Sequence, residues 1–205
     1  RRVLFRSPQS SNMEGQLLLL VLSLLTAYCL GNTIQKRMFQ REGFEYSDSH
    51  LYDDILLTPD QKEMLKERGF FVAGRWPIVN DVAVIPYYFD ERTIPYGSPI
   101  RTTFQAAADL YRAQTCIEWM EVQKNYPDPK VKVFRGDGCQ TNVGMNKKGE
   151  NTMSLGNGCD TISVIIHEMG HSVGLHHTQS RPDRDQYIKI WYQNIENGKE
   201  EQFEI

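Results

Sequence analysis

Four of the chain's five histidines fall between positions 167 and 177. The run reads His167-Glu168-Met169-Gly170-His171-Ser172-Val173-Gly174-Leu175-His176-His177. On a helix, His167 and His171 stand one turn apart, with about 6 Å of rise between them, and can present two imidazoles to one ion. Glu168 is turned by about 100° from the first histidine, where it can exchange a proton with a water on that ion without occupying the ion. Gly174 can end the helix and turn the chain, bringing His177 round as a third nitrogen. Three neutral imidazoles suit Zn²⁺ with an open position, whereas a structural zinc site is normally closed by four protein ligands. The water on such a zinc has a pKa of about 7; Glu168 would take its proton as it attacks a carbonyl and pass it to the leaving amine. The expected cofactor is therefore one Zn²⁺ per chain, and the expected reaction is hydrolysis of a peptide bond. H-E-x-x-H alone arises by chance in roughly one chain per hundred, but adding Gly174 and His177 lowers that to roughly one in 10⁵. The longer pattern thus outweighs the bland reading of two surface histidines. His176 lies outside it and is expected to point elsewhere.

The elements that must position these residues are legible upstream. Ile162, Val164, Ile165 and Ile166 form a helical apolar approach to His167. Val82–Phe89 reads as a strand in which Pro86 suggests an edge or a bulge. Ser98-Pro99 opens a helix whose Ile100, Phe104, Ala107, Ala108 and Tyr111 recur at spacings of three and four, giving one apolar face. Val131–Phe134 and Thr152–Leu155 are strand-like, flanked by the turns Gly136-Asp137-Gly138 and Gly156-Asn157-Gly158. Strands and helices without strict alternation predict an α+β fold.

The 205 residues are unevenly built. A charged fraction of 24% and a net charge of −3 exclude a disordered chain and give no basic footprint for nucleic acid. Leu17–Leu30 is apolar but too short for a stable membrane span, which needs about 20 residues. It reads as the core of a secretory signal, residues 13–31, beginning at Met13. Residues 1–12 are then expected to be a non-native leader, and Arg1–Ser7 back-translates to a sequence resembling a sequencing adapter. Residues 32–68 are polar and read as a propeptide, with a plain linker as the equally weighted alternative. Within it, Thr58-Pro59-Asp60-Gln61 opens a helix with a capping pair, and Gly69 suits its end. Residues 69–205 are the remaining domain. Of the four cysteines, Cys29 would leave with the signal, so Cys116, Cys139 and Cys159 form an odd set.

Beyond the third histidine the sequence continues Thr178-Gln179-Ser180-Arg181-Pro182-Asp183-Arg184-Asp185-Gln186-Tyr187. This resembles the astacin family of metzincin zinc metalloendopeptidases, whose signature ends R-x-D-R-D-x-Y. The resemblance reaches back through Gly138-Cys139 and Ile85-Pro86-Tyr87 to about Trp76. It implies a metzincin-like catalytic domain: a twisted mixed sheet plus helices with a zinc-binding active-site helix, and a C-terminal subdomain largely missing. It further implies His167, His171 and His177 as zinc ligands, Glu168 as catalytic base and acid, and a Cys139–Cys159 disulfide. Met153, Ser154 and Leu155 would be the edge strand that pairs with substrate. Asp54, in Leu51-Tyr52-Asp53-Asp54, is the nearest match to the family's F-x-G-D and so the candidate latency ligand. Activation cleavage is expected after Arg68, with Arg75 as second choice.

Two departures stand out. Thr178 occupies the position where the family carries Glu, and no S-x-M-H-Y run or later cysteine for Cys116 is present. The chain therefore reads as C-terminally truncated and, by itself, a weak zinc binder that cleaves little. For the parent protein the resemblance implies a secreted, extracellular zymogen acting on protein or peptide substrates, of unspecified oligomeric state. The alternative is an inactive homologue that binds partners through the cleft.

Overall fold

A computed structural model describes residues 54–68, 73–127 and 129–205. The expected leader and signal, the propeptide before Asp54, and Gly69 lie outside the described residues. The elements run β1 (Ile55–Leu56), α1 (Pro59–Arg68), β2 (Ile78–Val79), β3 (Val82–Phe89), α2 (Pro99–Gln114), β4 (Ile117–Glu121), β5 (Val131–Phe134), β6 (Cys139–Asn142), β7 (Asn151–Leu155) and α3 (Ile162–Ser172). Short 3₁₀ turns carry the chain from Thr178 to Phe203. The strands form a single sheet in the order β1-β6-β7-β5-β3-β2, with β4 paired to β3. Most pairings are parallel; β6 on β7 and β2 on β3 are antiparallel. A mixed sheet covered by two long helices is the α+β arrangement expected.

The core forms where the predicted apolar faces meet. Ile100, Phe104, Ala107, Ala108 and Tyr111 of α2 are all buried, as their helical spacing requires. Phe104 packs against Tyr87, Phe89 and Trp119, with ring centroids 4.6 to 5.8 Å apart. Rings of this size dominate core energetics, each contributing about 1.5–3 kcal/mol through burial. Tyr111 also donates from its hydroxyl to the Ile166 carbonyl at 3.0 Å, tying α2 to α3. The α1 cap closes as its sequence predicts: Thr58 N–H donates to Gln61 Oε1 at 2.8 Å, and Gln61 N–H to Thr58 Oγ1 at 3.3 Å.

Three expectations are corrected. Pro86 does not mark an edge or a bulge: β3 is paired on both sides, to β4 along Ala83–Tyr87 and to β2 and then β5 on the other flank. Ala83 N–H points toward β4 and Val84 N–H toward β2. Alternation therefore turns the Pro86 nitrogen toward the second flank, in the gap between the β2 pairing at Ala83 and the β5 pairing at Tyr87. The missing N–H is harmless there.

Met153, Ser154 and Leu155 are not an edge strand either. Met153 and Ser154 pair with Val133 and Phe134 on one side, and Met153, Ser154 and Leu155 pair with Thr141, Gln140 and Cys139 on the other. Their backbone is committed within the sheet, and all three are buried. Finally, Cys116 is disulfide-bonded, and no cysteine among the described residues is free.

Candidate metal centre

Helix α3 supplies the first two histidines. Its cap, Thr161, accepts from Val164 N–H, and Ile165, Ile166 and Met169 bury one side against the sheet. The helix closes on Gly174, whose φ of 105° is a conformation that side chains with a Cβ rarely adopt. Leu175 N–H returns to the Gly170 carbonyl at 3.0 Å and Gly174 N–H to that of His171 at 2.8 Å. That turn carries His177 back over the helix end.

The three imidazoles converge on Asp54. His167 Nε2 lies 3.1 Å from Asp54 Oδ2, and His177 Nε2 lies 3.0 and 3.1 Å from the two carboxylate oxygens. His171 Nε2 is 2.9 Å from His167 Nε2 and 3.7 Å from Asp54 Oδ2. One ligand atom from each of the four residues lies within 4.8 Å of the others. Tetrahedral zinc with bonds of about 2.0–2.1 Å holds its ligand atoms about 3.3 Å apart, so the spacing fits such an ion. The tautomer fits as well. His171 Nδ1 lies 2.8 Å from the Leu175 carbonyl, an acceptor, so Nδ1 carries the proton and Nε2 offers its lone pair inward. His171 is almost wholly buried, and that burial lowers its pKa and favours the neutral form a metal requires.

Burial by itself would raise the Asp54 carboxyl, but the contacts with His167 and His177, with His171 close by, hold it well below the usual carboxylate range. Glu168, on the adjoining face of α3, is 1% exposed, and its Oε2 has no hydrogen-bond partner among the described residues. Burial, and then the charge of Asp54, push it up to about 8. His176 does not enter the cluster; burial and then His171 and His177 bring it down to about 3, which keeps the ring neutral.

The surrounding scaffold joins the site to β6. Cys139, at the start of β6, is bonded to Cys159, which precedes α3. Ser172 Oγ lies 3.0 Å from Thr141 Oγ1, and Trp76 Nε1 donates to the Ser172 carbonyl at 2.7 Å. Gly144 N–H reaches the carbonyl of His171 itself at 2.8 Å. The sequence reading missed Thr141, Ser172 and β6 as a whole. β6 is short and polar, without the alternation that marks a strand, and only its preceding glycine turn pointed to it. It also missed β1, which lies parallel on the outer side of β6 with Ile55 against Thr141 and Leu56 against Asn142. Thr141 N–H donates to the Asp54 carbonyl at 2.8 Å, so β6 aims Asp54 at the histidines.

The family model described as astacin, a peptidase family, matches residues 73–205. Blastula protease 10 of Paracentrotus lividus is 34% identical over 168 residues, covering 73% of this chain and 27% of that protein. Meprin A subunit beta of Rattus norvegicus is 41% identical over 141 residues, covering 65% of this chain and 19% of that protein. Among solved structures, High choriolytic enzyme 1, a hatching enzyme zinc-protease from Oryzias latipes (medaka fish), superposes with a TM-score of 0.54 at 28% identity, covering 63% of each chain. The chain thus spans about a quarter of the length of the curated relatives it matches.

Proposed function

The chain belongs to the astacin family of zinc metallopeptidases, and from that premise we propose that it is part of a secreted, zymogen-type metalloendopeptidase acting on extracellular proteins. The observation that carries this is the convergence of three imidazole Nε2 atoms on the carboxylate of Asp54. His167, His171 and His177 would hold zinc. Bound there, zinc supplies a Lewis acid that polarises the scissile carbonyl and acidifies water.

The remaining chemistry belongs to the chain's own residues. The Leu175 carbonyl keeps the His171 proton on Nδ1 and its lone pair inward. Glu168 is buried, has no hydrogen-bond partner at Oε2 among the described residues, and stands one residue from His167, so it can take a proton from water and give it to the departing amine. Disulfide Cys139–Cys159 and the Thr141–Ser172 contact hold β6 at a fixed distance from α3. With residues 153–155 inside the sheet, β6 becomes the strand that offers its outer edge to a peptide.

The same geometry supports a latency mechanism. Asp54 fills the space among the imidazoles, while β1 covers the edge of β6. Residues 32–68 act as the propeptide, preceded by the signal at residues 13–31. Cleavage after Arg68 fits better than after Arg75, because Gly74 is bridged to Gly144 and its carbonyl accepts from Met145 N–H at 2.8 Å, fixing the backbone on one side of Arg75.

The test is peptide cleavage by the full-length protein after activation, with and without a zinc chelator. Glu168→Ala should lower the rate by a factor of about 10²–10⁴ while zinc content stays at one per chain. Cleavage that persists in Glu168→Ala, or zinc retained after His171→Ala, would refute the assignment.

A further inference from the structure

Asn142 closes β6 at the point where its pairing with β7 ends, the last matched residues being Thr141 and Met153. Its side chain takes over where the ladder stops. Oδ1 accepts from Thr152 N–H at 2.7 Å and from Thr152 Oγ1 at 3.1 Å. Two donors on one oxygen settle the orientation of the carboxamide, because a flipped amide would set its NH₂ against the Thr152 N–H. The NH₂ group must therefore face the outer edge of the sheet. There Nδ2 donates to the Leu56 carbonyl at 3.1 Å.

The outer edge of β6 thus offers two donors in succession: Thr141 N–H, which takes the Asp54 carbonyl, and Asn142 Nδ2, which takes the Leu56 carbonyl. Carbonyls two residues apart point the same way in an extended strand, so the pair matches the repeat of a peptide backbone. The second donor is held by Thr152 and not by β1, so it keeps its direction after β1 departs. A donor oriented beforehand loses little freedom when it binds.

We propose that Asn142 is a peptide-backbone recognition residue, gripping the latency segment through Leu56 in the uncleaved protein and a main-chain carbonyl of the extended substrate after activation. The substrate half of this rests on the protease reading above; the grip on Leu56 does not. Because the contact is to backbone, it adds affinity along β6 without selecting a side chain.

The decisive variant is Asn142→Asp, which keeps an acceptor for Thr152 and replaces the outward donor with an oxygen facing a carbonyl. In the uncleaved protein, amide exchange over residues 54–57 should accelerate about tenfold, the size of one lost hydrogen bond, with β3 and β5 unchanged. In the activated protein, KM for an extended peptide should rise about tenfold with kcat within about twofold, the pattern of a contact made equally before and during the reaction. Thr152→Val, which frees Oδ1 of one donor and leaves Nδ2 in place, should shift both readouts in the same direction by a smaller factor. Unchanged exchange overturns the proposal, as does an unchanged KM wherever cleavage is measurable. If the parent protein shows no chelator-sensitive cleavage, the protease reading fails, and exchange alone decides whether Asn142 grips the strand.

Discussion

Two strand pairings in the one sheet are built to different standards. β3 and β4 are matched from Ala83 to Tyr87 and lie under α2, whose Phe104 and Tyr111 pack against Trp119 of β4. β1 and β6 are matched only at Ile55 and Leu56, and beneath them lies a separate small cluster of Ile55, Ala73 and Val143 with Leu57 and Met64 beside it. What the second pairing lacks in apolar area it replaces with polar contacts: Asp54 to the histidines, Asn142 to Leu56, and Gln61 Nε2 to the Val143 carbonyl at 3.0 Å. Apolar burial is non-directional and scales with the area removed from water, so it is not readily exchanged contact by contact. Directed contacts to a few atoms can be exchanged for those of another peptide. Under the zymogen reading proposed above, the difference would separate a permanent body from a segment made to leave.

The sharpest way to break this contrast is to excavate the body. Phe104→Ala should cost about 3–5 kcal/mol in denaturant unfolding, through lost burial and the cavity left behind. A loss under about 1 kcal/mol would mean that the aromatic cluster is not the centre of stability. Asp54→Ala should act on the other side alone. Amide exchange over residues 55–57 should rise about 10- to 100-fold, from the lost charge-assisted hydrogen bonds, while the global unfolding midpoint barely moves. If the midpoint fell as far as in Phe104→Ala, the two regions would be a single cooperative unit.

Asp90 tests the polar part of the body. It accepts from Arg92 Nη2 at 2.9 Å and lies 3.1 Å from Lys132 Nζ; the hydrogen bond from Arg92 is the main reason its carboxyl is held below the usual range. A pKa lowered by folding stabilises the protein above the unfolded value of about 3.9, and this contribution is lost as the pH falls. Asp90→Asn should therefore cost about 1 kcal/mol at pH 7, a difference that shrinks below about pH 4. A penalty independent of pH would assign the effect to packing. The smallest effect is expected at Lys148, which reaches Asp60 of α1 at 2.6 Å between two exposed side chains. Lys148→Ala should loosen α1 by less than about 0.5 kcal/mol and leave no trace in high salt.

The residues of the site differ in how far they could be read in advance. His167, Glu168 and His171 were legible because one helical turn relates them, and Gly174 because a turn at positive φ favours glycine. The Thr58–Gln61 cap and the buried face of α2 were legible for the same local reason. Asp54 was marked only by a partial match to a family motif, since its approach to the histidines spans more than a hundred positions of sequence. Asn142 carried no signal at all, because an amide becomes a directed donor only when Thr152 has claimed its oxygen. Residues 153–155 were misjudged as an edge because an apolar strand reads the same whether it has one neighbour or two.

The sequence by itself determined the donor set, the helix that spaces it, and the family to which the chain belongs. These depend on residue types at short separations, where backbone geometry leaves few choices. Only the tertiary structure decided that β7 lies between β5 and β6, that β1 lies along the outer side of β6, and that Asp54 stands among the imidazoles. Strand order and pairing join residues far apart in the chain, and no periodicity within a strand records which neighbour it will meet.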